Sequence, residues 1–192
     1  GLELQQRVAP FLLRRTKSEV MSELPEKVEI DQYLAMEADQ RQLYDSIRLS
    51  MESHIRQLFA EKGLAKSQIE FLDALLKLRQ ACCDARLVKL PSAQKVQSSA
   101  KLDWLTQNVP EMIEEGRKII IFSQFTSMLA LIEAVMQQLG IPYAKLTGQT
   151  KKRQQQIDSF QQGEVPLFLI SLKAGGTGLN LTAADTVIHY DP

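Results

Sequence analysis

From Ser99 onward the sequence alternates between helical and extended hydrophobic periods at short intervals, in the order helix, strand, helix, strand, helix, strand, loop, strand. The four extended segments, Lys118–Phe122, Tyr143–Leu146, Leu167–Ile170 and Thr186–His189, are apolar along most of their length. Strands of that kind are buried on both faces, which requires helices on either side. Alternation of strand and helix with short connections therefore predicts an α/β fold with a mostly parallel sheet. Met128, Leu131, Ile132, Val135 and Met136 mark one helix, stopped by Gly140, while Ile157 and Phe160 anchor a shorter one stopped by Gly163. Pro110, inside the helical pattern from Ala100 to Glu115, is expected to break or kink it.

Upstream the pattern is different. Residues 1–27 pass from basic to apolar to turn-like, through Pro10, Phe11-Leu12-Leu13, Arg14-Arg15 and the stretch from Glu23 to Lys27, and read as a connector. Residues 28–36 place Val28, Ile30, Leu34 and Met36 on even positions, the period of a half-buried strand. Residues 37–98 are expected to form a helical insertion. In it Leu43, Ile47, Met51, Ile55 and Leu58 recur at helical spacing up to Gly63. Ser67 with Glu70 forms a capping-box pattern, followed by the apolar stripe Ile69, Leu72, Leu75, Leu76 and Leu78, so the two helices read as a hairpin. The polar stretch Leu90–Ser99 is the boundary, and 99–192 is the α/β domain.

Composition decides little beyond this. A chain of 192 residues with 44% apolar composition is long enough for one good core and a helical appendage. Lys plus Arg balance Asp plus Glu, 23 against 23, so net charge announces neither nucleic acid nor membrane. The longest apolar runs, Ile119–Phe122 and Leu167–Ile170, are too short to span a bilayer, and no membrane partner is expected. Adjacent Cys82 and Cys83 suit neither a disulfide framework nor a metal site and read as buried or half-buried thiols.

Open parallel sheets bind ligands beyond the carboxyl ends of their strands. Three loops there are rich in hydroxyls, amides and glycine: Ser123 to Thr126, Thr147 to Thr150, and Ser171 to Leu181 with Lys173 inside it. Groups of that kind donate to phosphodiester oxygens, because glycine lets main-chain N–H groups approach closely and helix N-termini favour anions. No Gly-x-x-x-x-Gly-Lys-Ser/Thr loop occurs, and no acidic pair stands at a strand end to hold magnesium. His54 and His189 lack a nucleophile partner by spacing and read as structural. The residues by themselves thus describe an anion-binding α/β domain with a helical insertion.

Read together, several blocks resemble the SWI/SNF-type DNA-translocating ATPases of helicase superfamily two, and bacterial members among them. The family's linker block is similar to Pro10–Lys17 and Leu24–Lys27, and its Leu-Arg-x-x-Cys-x-His-Pro block to Leu78–Ala85, with Asp84-Ala85 in place of His-Pro. Helicase motif IV resembles Ile119–Phe125, the next phosphate-contact motif Leu146–Thr150, and motif V Ser171–Leu181 continuing through Thr182–Pro192. The resemblance implies the C-terminal, RecA-like lobe of the motor, a three-layer domain, with residues 1–27 as inter-lobe linker, 28–36 as the strand joining the lobe and 37–98 as the insertion.

By the same resemblance, Ser123, Gln124, Thr147, Gly148, Ser171, Lys173 and Gly175 would face DNA phosphates. Gly178 and Asn180 would face the nucleotide, although a loop-capping role for Asn180 stands beside that reading. Arg14, Arg15 and Lys17 would brace the lobes, with a solvated basic patch as the alternative. ATP and Mg2+ would be held mainly by a first RecA-like lobe outside these residues. The P-loop and the arginine finger of motif VI are not in the sequence, so no catalytic residue, metal ligand or cofactor is assigned to it, and these residues alone are expected to be inactive. Expected partners are double-stranded DNA and that first lobe. An RNA-directed or RNA-polymerase-recycling ATPase shares the lobe and remains an alternative, and a non-enzymatic α/β binding module is a third. The protein is expected to act in the cytoplasm at the nucleoid, or in the nucleus of a eukaryote.

Overall fold

The computed structural model describes residues 8–15, 28–176 and 179–192. They fall into two compact units, one built around residues 34–102 and the other around 103–192.

The first unit is a helical hairpin closed by two short 3-10 turns. Helix α1 (Ala38–Lys62) buries Gln40, Leu43, Ile47 and Leu58 at helical spacing. It stops at Gly63, whose φ of +78° is a conformation that side chains with a Cβ rarely adopt. Helix α2 (Leu64–Cys83) starts immediately afterwards. The expected capping box is therefore absent: Ser67 lies inside the first turn, its hydroxyl donates to the Gly63 carbonyl at 2.8 Å, and Glu70 instead meets His54 Nε2 at 3.0 Å. Of the predicted stripe, only Leu78 packs on the core. Ser67, Ala74 and Ala81 are buried, whereas Ile69, Leu72 and Leu76 are 77%, 63% and 42% exposed. Small residues occupy the buried face, which lets α2 lie close to α1.

Asp84 ends α2 in place of the histidine of the related block. Its Oδ1 accepts from the Arg86 amide and from Arg86 Nε, both at 2.9 Å, and Oδ2 accepts from the same guanidinium at 3.0 Å. The 3-10 turns Ala85–Leu87 and Pro91–Lys95 follow. Two polar residues of α1 then fasten the exit from this unit. Fully buried Gln40 donates to the Ala81 carbonyl at 3.0 Å and accepts from the Ala100 amide at 3.1 Å. Asp39 accepts from the Ser98 hydroxyl and from the Gln97 amide at 2.9 Å. Those bonds hold its carboxyl down at about 2, the Ser98 hydroxyl contributing most and the Gln97 amide next. Cys82 is half-buried and Cys83 buried, and neither is in a disulfide.

Helix α3 (Ala100–Glu114) leads into the second unit and runs through Pro110 without a break. Its apolar side explains why: Leu105 and Val109 are fully buried and Met112 nearly so, which outweighs the hydrogen bond a proline removes. The sheet that follows has strands β1 (Val8–Arg15), β2 (Val28–Ala35), β3 (Ile119–Ser123), β4 (Tyr143–Leu146), β5 (Leu167–Ser171) and β6 (Thr186–His189), in the order β2-β1-β6-β3-β5-β4. β6, β3, β5 and β4 are parallel, as predicted, and β1 joins β6 antiparallel. Residues 8–15, read from sequence as part of a connector, are thus a strand of the sheet.

Side chains alternate across the sheet. Ile120, Ala144, Leu146, Phe168 and Ile170 form one core with Phe160 of helix α5 (Arg153–Gln161). Ile119, Ile121, Leu167 and Leu169, of opposite parity, are fully buried too, as is Ile188, which pairs with Ile121. Helix α4 (Thr126–Gln138) lies against β3 and β5 with Met128, Leu129, Ile132 and Met136 buried. Helix, sheet and helix make the three layers of the predicted RecA-like architecture. Lys118 closes the amino end of β3: its Nζ donates to the Phe160 and Val165 carbonyls at 2.8 and 3.1 Å and lies 4.6 Å from the Phe160 ring centre. Burial pushes its pKa down, against the opposing pull of Asp185.

Candidate nucleic-acid interface

The register of the parallel strands aligns their carboxyl ends. Ser123 is opposite Ser171, and Leu146 is opposite Ile170, so Thr147 follows in the same row. Neighbouring strands lie about 4.8 Å apart, which brings the three predicted loops together along one edge. Helices α4 and α5 begin at Thr126 and Arg153, just beyond two of those loops, so their N-terminal N–H groups open towards it.

The hydroxyls in this row do not point outward as predicted. Ser123 is fully buried, and its Oγ donates to Asp191 Oδ1 at 2.5 Å while accepting from the Phe125 amide at 3.1 Å. Asp191 Oδ2 accepts from the Gln124 amide at 2.8 Å. One buried carboxylate thereby ties the end of β3 to the residues after β6. Ser171 is also buried, and its Oγ accepts from the Ala174 amide at 3.3 Å, opening the helical turn α6 (Leu172–Gly175). Half-buried Thr147 accepts at Oγ1 from the Gln149 amide at 3.2 Å, and its own amide donates to Thr150 Oγ1 at 2.9 Å. These three residues shape the loops.

What faces outward is Gln124, Gly148 and Lys173, all exposed. Gly175 has a packing reason for its identity: a Cβ there would come within 2.9 Å of both Ile170 Cγ2 and Phe122 Cε1. The Phe122 ring in turn stacks on His189 at 5.3 Å and 14°, a structural role for that histidine. Asn180 is exposed, and the segment after it is held by Gln161, which donates to Thr182 Oγ1 at 3.1 Å and accepts from the Ala183 amide at 2.9 Å. Arg14 and Arg15 stand in β1 opposite Val187 and Thr186. Gly178 and Lys17 lie outside the described residues.

Two features escaped the sequence reading. Asp191 could be recognised only once the ends of β3 and β6 were adjacent. The second was legible as charge: Lys151, Lys152 and Arg153, all exposed, follow directly on the Thr147–Thr150 loop. With Lys173 they give this edge four exposed cations, and the segments 123–127, 147–153 and 171–176 contain no Asp or Glu. On a chain with no net charge, that concentration is local and one-sided.

Comparison with known proteins finds two family matches in the chain. Residues 2–87 match the SNF2-related domain, and residues 100–192 match the helicase conserved C-terminal domain. The chain belongs to the SNF2-type family of superfamily-two helicases. An uncharacterized ATP-dependent helicase of Mycoplasma pneumoniae is 37% identical over 98% of this chain and 18% of its own length. The chain thus spans about a fifth of the curated relatives it matches. The Sulfolobus solfataricus SWI2/SNF2 ATPase C-terminal domain is 30% identical, with a TM-score of 0.66 over 79% of this chain and 66% of that one. The SWI2/SNF2 ATPase core of the same organism in complex with double-stranded DNA is 27% identical, with a TM-score of 0.69 over 82% of this chain and 33% of that one. Its place in the family is that of the C-terminal lobe.

Proposed function

We propose that this lobe is the second motor lobe of an ATP-dependent double-stranded-DNA translocase and that the carboxyl edge of its sheet grips one strand of the duplex. The observation that carries the reading is the edge itself, with four exposed cations, exposed amides and no Asp or Glu in the three loops that build it. Lys173, Gln124 and the main chain at Gly148 and Gly175 contact phosphates, which fixes position without reading sequence. Lys151, Lys152 and Arg153 extend that contact. Ser123, Ser171 and Thr147 act one step back by holding the loops in shape.

Gly178 and Asn180 face a nucleotide held mainly by a first lobe, which also supplies the sites for Mg2+. The donors here are neutral and suit a ribose or phosphate rather than a metal. Arg14, Arg15 and Lys17 brace the two lobes. Closure of the lobes around nucleotide and their reopening after hydrolysis advance the grip along the duplex, without strand separation. The 192 residues alone have no ATP turnover and bind DNA weakly and with strong salt dependence. In the cell the protein works wherever the DNA is, at the nucleoid or in a nucleus. Nothing in the described residues favours RNA or RNA polymerase over duplex DNA as partner.

The test is charge reversal at Lys173 in the whole protein. Lys173→Glu should abolish stimulation of ATP turnover by duplex DNA and leave nucleotide affinity in the absence of DNA within about two-fold. It should also lower the slope of log affinity against log salt by about 1, as expected for one lost phosphate contact. Undiminished DNA stimulation would remove Lys173 from the grip.

A further inference from the structure

The helical unit carries a concave surface built from residues outside the three loops of the proposed grip. The 3-10 turns Ala85–Leu87 and Pro91–Lys95 enclose an open groove of about 610 Å³. Its floor is aliphatic, with Val88, Leu90 and Val96 part of a small core shared with α1 and α2. Its rim is cationic and polar: Arg86, Lys89 and Gln94 are exposed, Lys95 is exposed beside them, and no carboxylate lines it. Asp84, the nearest acid in sequence, is buried and engaged in its two-point pair with Arg86.

We propose that this groove is a docking site for an acidic peptide segment that inserts an aliphatic side chain between the two turns. Charge complementarity selects the acidic partner, with Lys89 and Lys95 answering its carboxylates. The aliphatic floor selects peptide over duplex DNA, because a sugar-phosphate backbone offers no aliphatic side chain to fill it. The groove is built from other residues than the proposed DNA grip, and the proposal stands or falls independently of it.

The probe is a fluorescein-labelled twelve-residue peptide of alternating glutamate and leucine, titrated against the chain by anisotropy. Its counterpart has serine for every leucine, and a short DNA duplex is measured alongside. Saturable binding of the Glu/Leu peptide is expected, weakened at least ten-fold by the double variant Lys89→Glu/Lys95→Glu and at least ten-fold in the serine peptide. Both lysines are exposed, so the variant should keep the parent's far-ultraviolet spectrum and melting temperature. Equal affinity of the parent and the double variant would overturn the proposal, as would absence of saturable peptide binding. A double variant that loses duplex affinity while keeping the peptide would overturn it as well, and would make the groove a phosphodiester contact.

Discussion

Replacing Asp191 with alanine removes two acceptors at once, one from the Ser123 hydroxyl and one from the Gln124 amide, at a site that is almost wholly buried. Stranded donors of that kind cost about 1–3 kcal/mol in total stability. Urea unfolding of Asp191→Ala should show a loss in that range. Adding Ser123→Ala should cost less than the sum of the two single changes, since both break the same bond. Gly175→Ala tests packing at the next loop. Its new methyl carbon meets Ile170 Cγ2 and Phe122 Cε1 at 2.9 Å, so both contacts must be relieved by a shift, at a cost of about 1–3 kcal/mol. Gly148→Ala is the control, because a Cβ there meets nothing within 4 Å and stability should change by no more than about 0.5 kcal/mol. Both pairs are read from the midpoint and slope of the unfolding curve. The sequence could point to these loops but not to the direction of their hydroxyls. That Ser123 turns inward follows from Asp191, 68 residues away in the chain, and no local pattern carries the information.

At the level of elements, α2 shows what periodicity leaves open. Ile69, Leu72 and Leu76 form one apolar stripe, while Ala74, Leu78 and Ala81 form another, and spacing alone does not say which meets α1. The smaller side chains do, because close helix packing favours them. Leu72→Glu should therefore leave thermal stability nearly unchanged, within about 0.5 kcal/mol, whereas Ala74→Glu should disrupt the hairpin. Circular dichroism melts distinguish the two. The false capping box has a similar cause: Gly63 stops one helix and starts the next, so the second begins a turn before the sequence signal. The clasp between the start of α1 and residues 97–98 makes a pH prediction. Asp39 has its pKa lowered from 3.8 to about 2, so its contribution is fully present above the unfolded value and is lost as pH falls towards the folded one. Asp39→Asn should be less stable than the parent at neutral pH, and the difference should close between about pH 4 and pH 2 in a denaturation series.

For the molecule as a whole, the parallel sheet was legible because its strands are apolar on both faces and bounded by glycines and polar loops. Each of the four fell within a residue of its observed limits. β1 was not, since Pro10 weakens a strand assignment and Phe11-Leu12-Leu13 lacks alternation. Its partner β6 lies at the far end of the sequence, and pairing over such a distance leaves no trace in a local window. Net charge hid the cationic edge for a related reason: an even balance over the chain coexists with a one-sided concentration in three loops that only the sheet assembles. The pairing of Arg15 with Thr186 has a consequence during synthesis. At about 5–20 residues per second, β1 leaves the ribosome on the order of ten seconds or more before its partner exists. In that interval its unpaired backbone, with three large apolar residues in succession, is a surface for chaperones to guard.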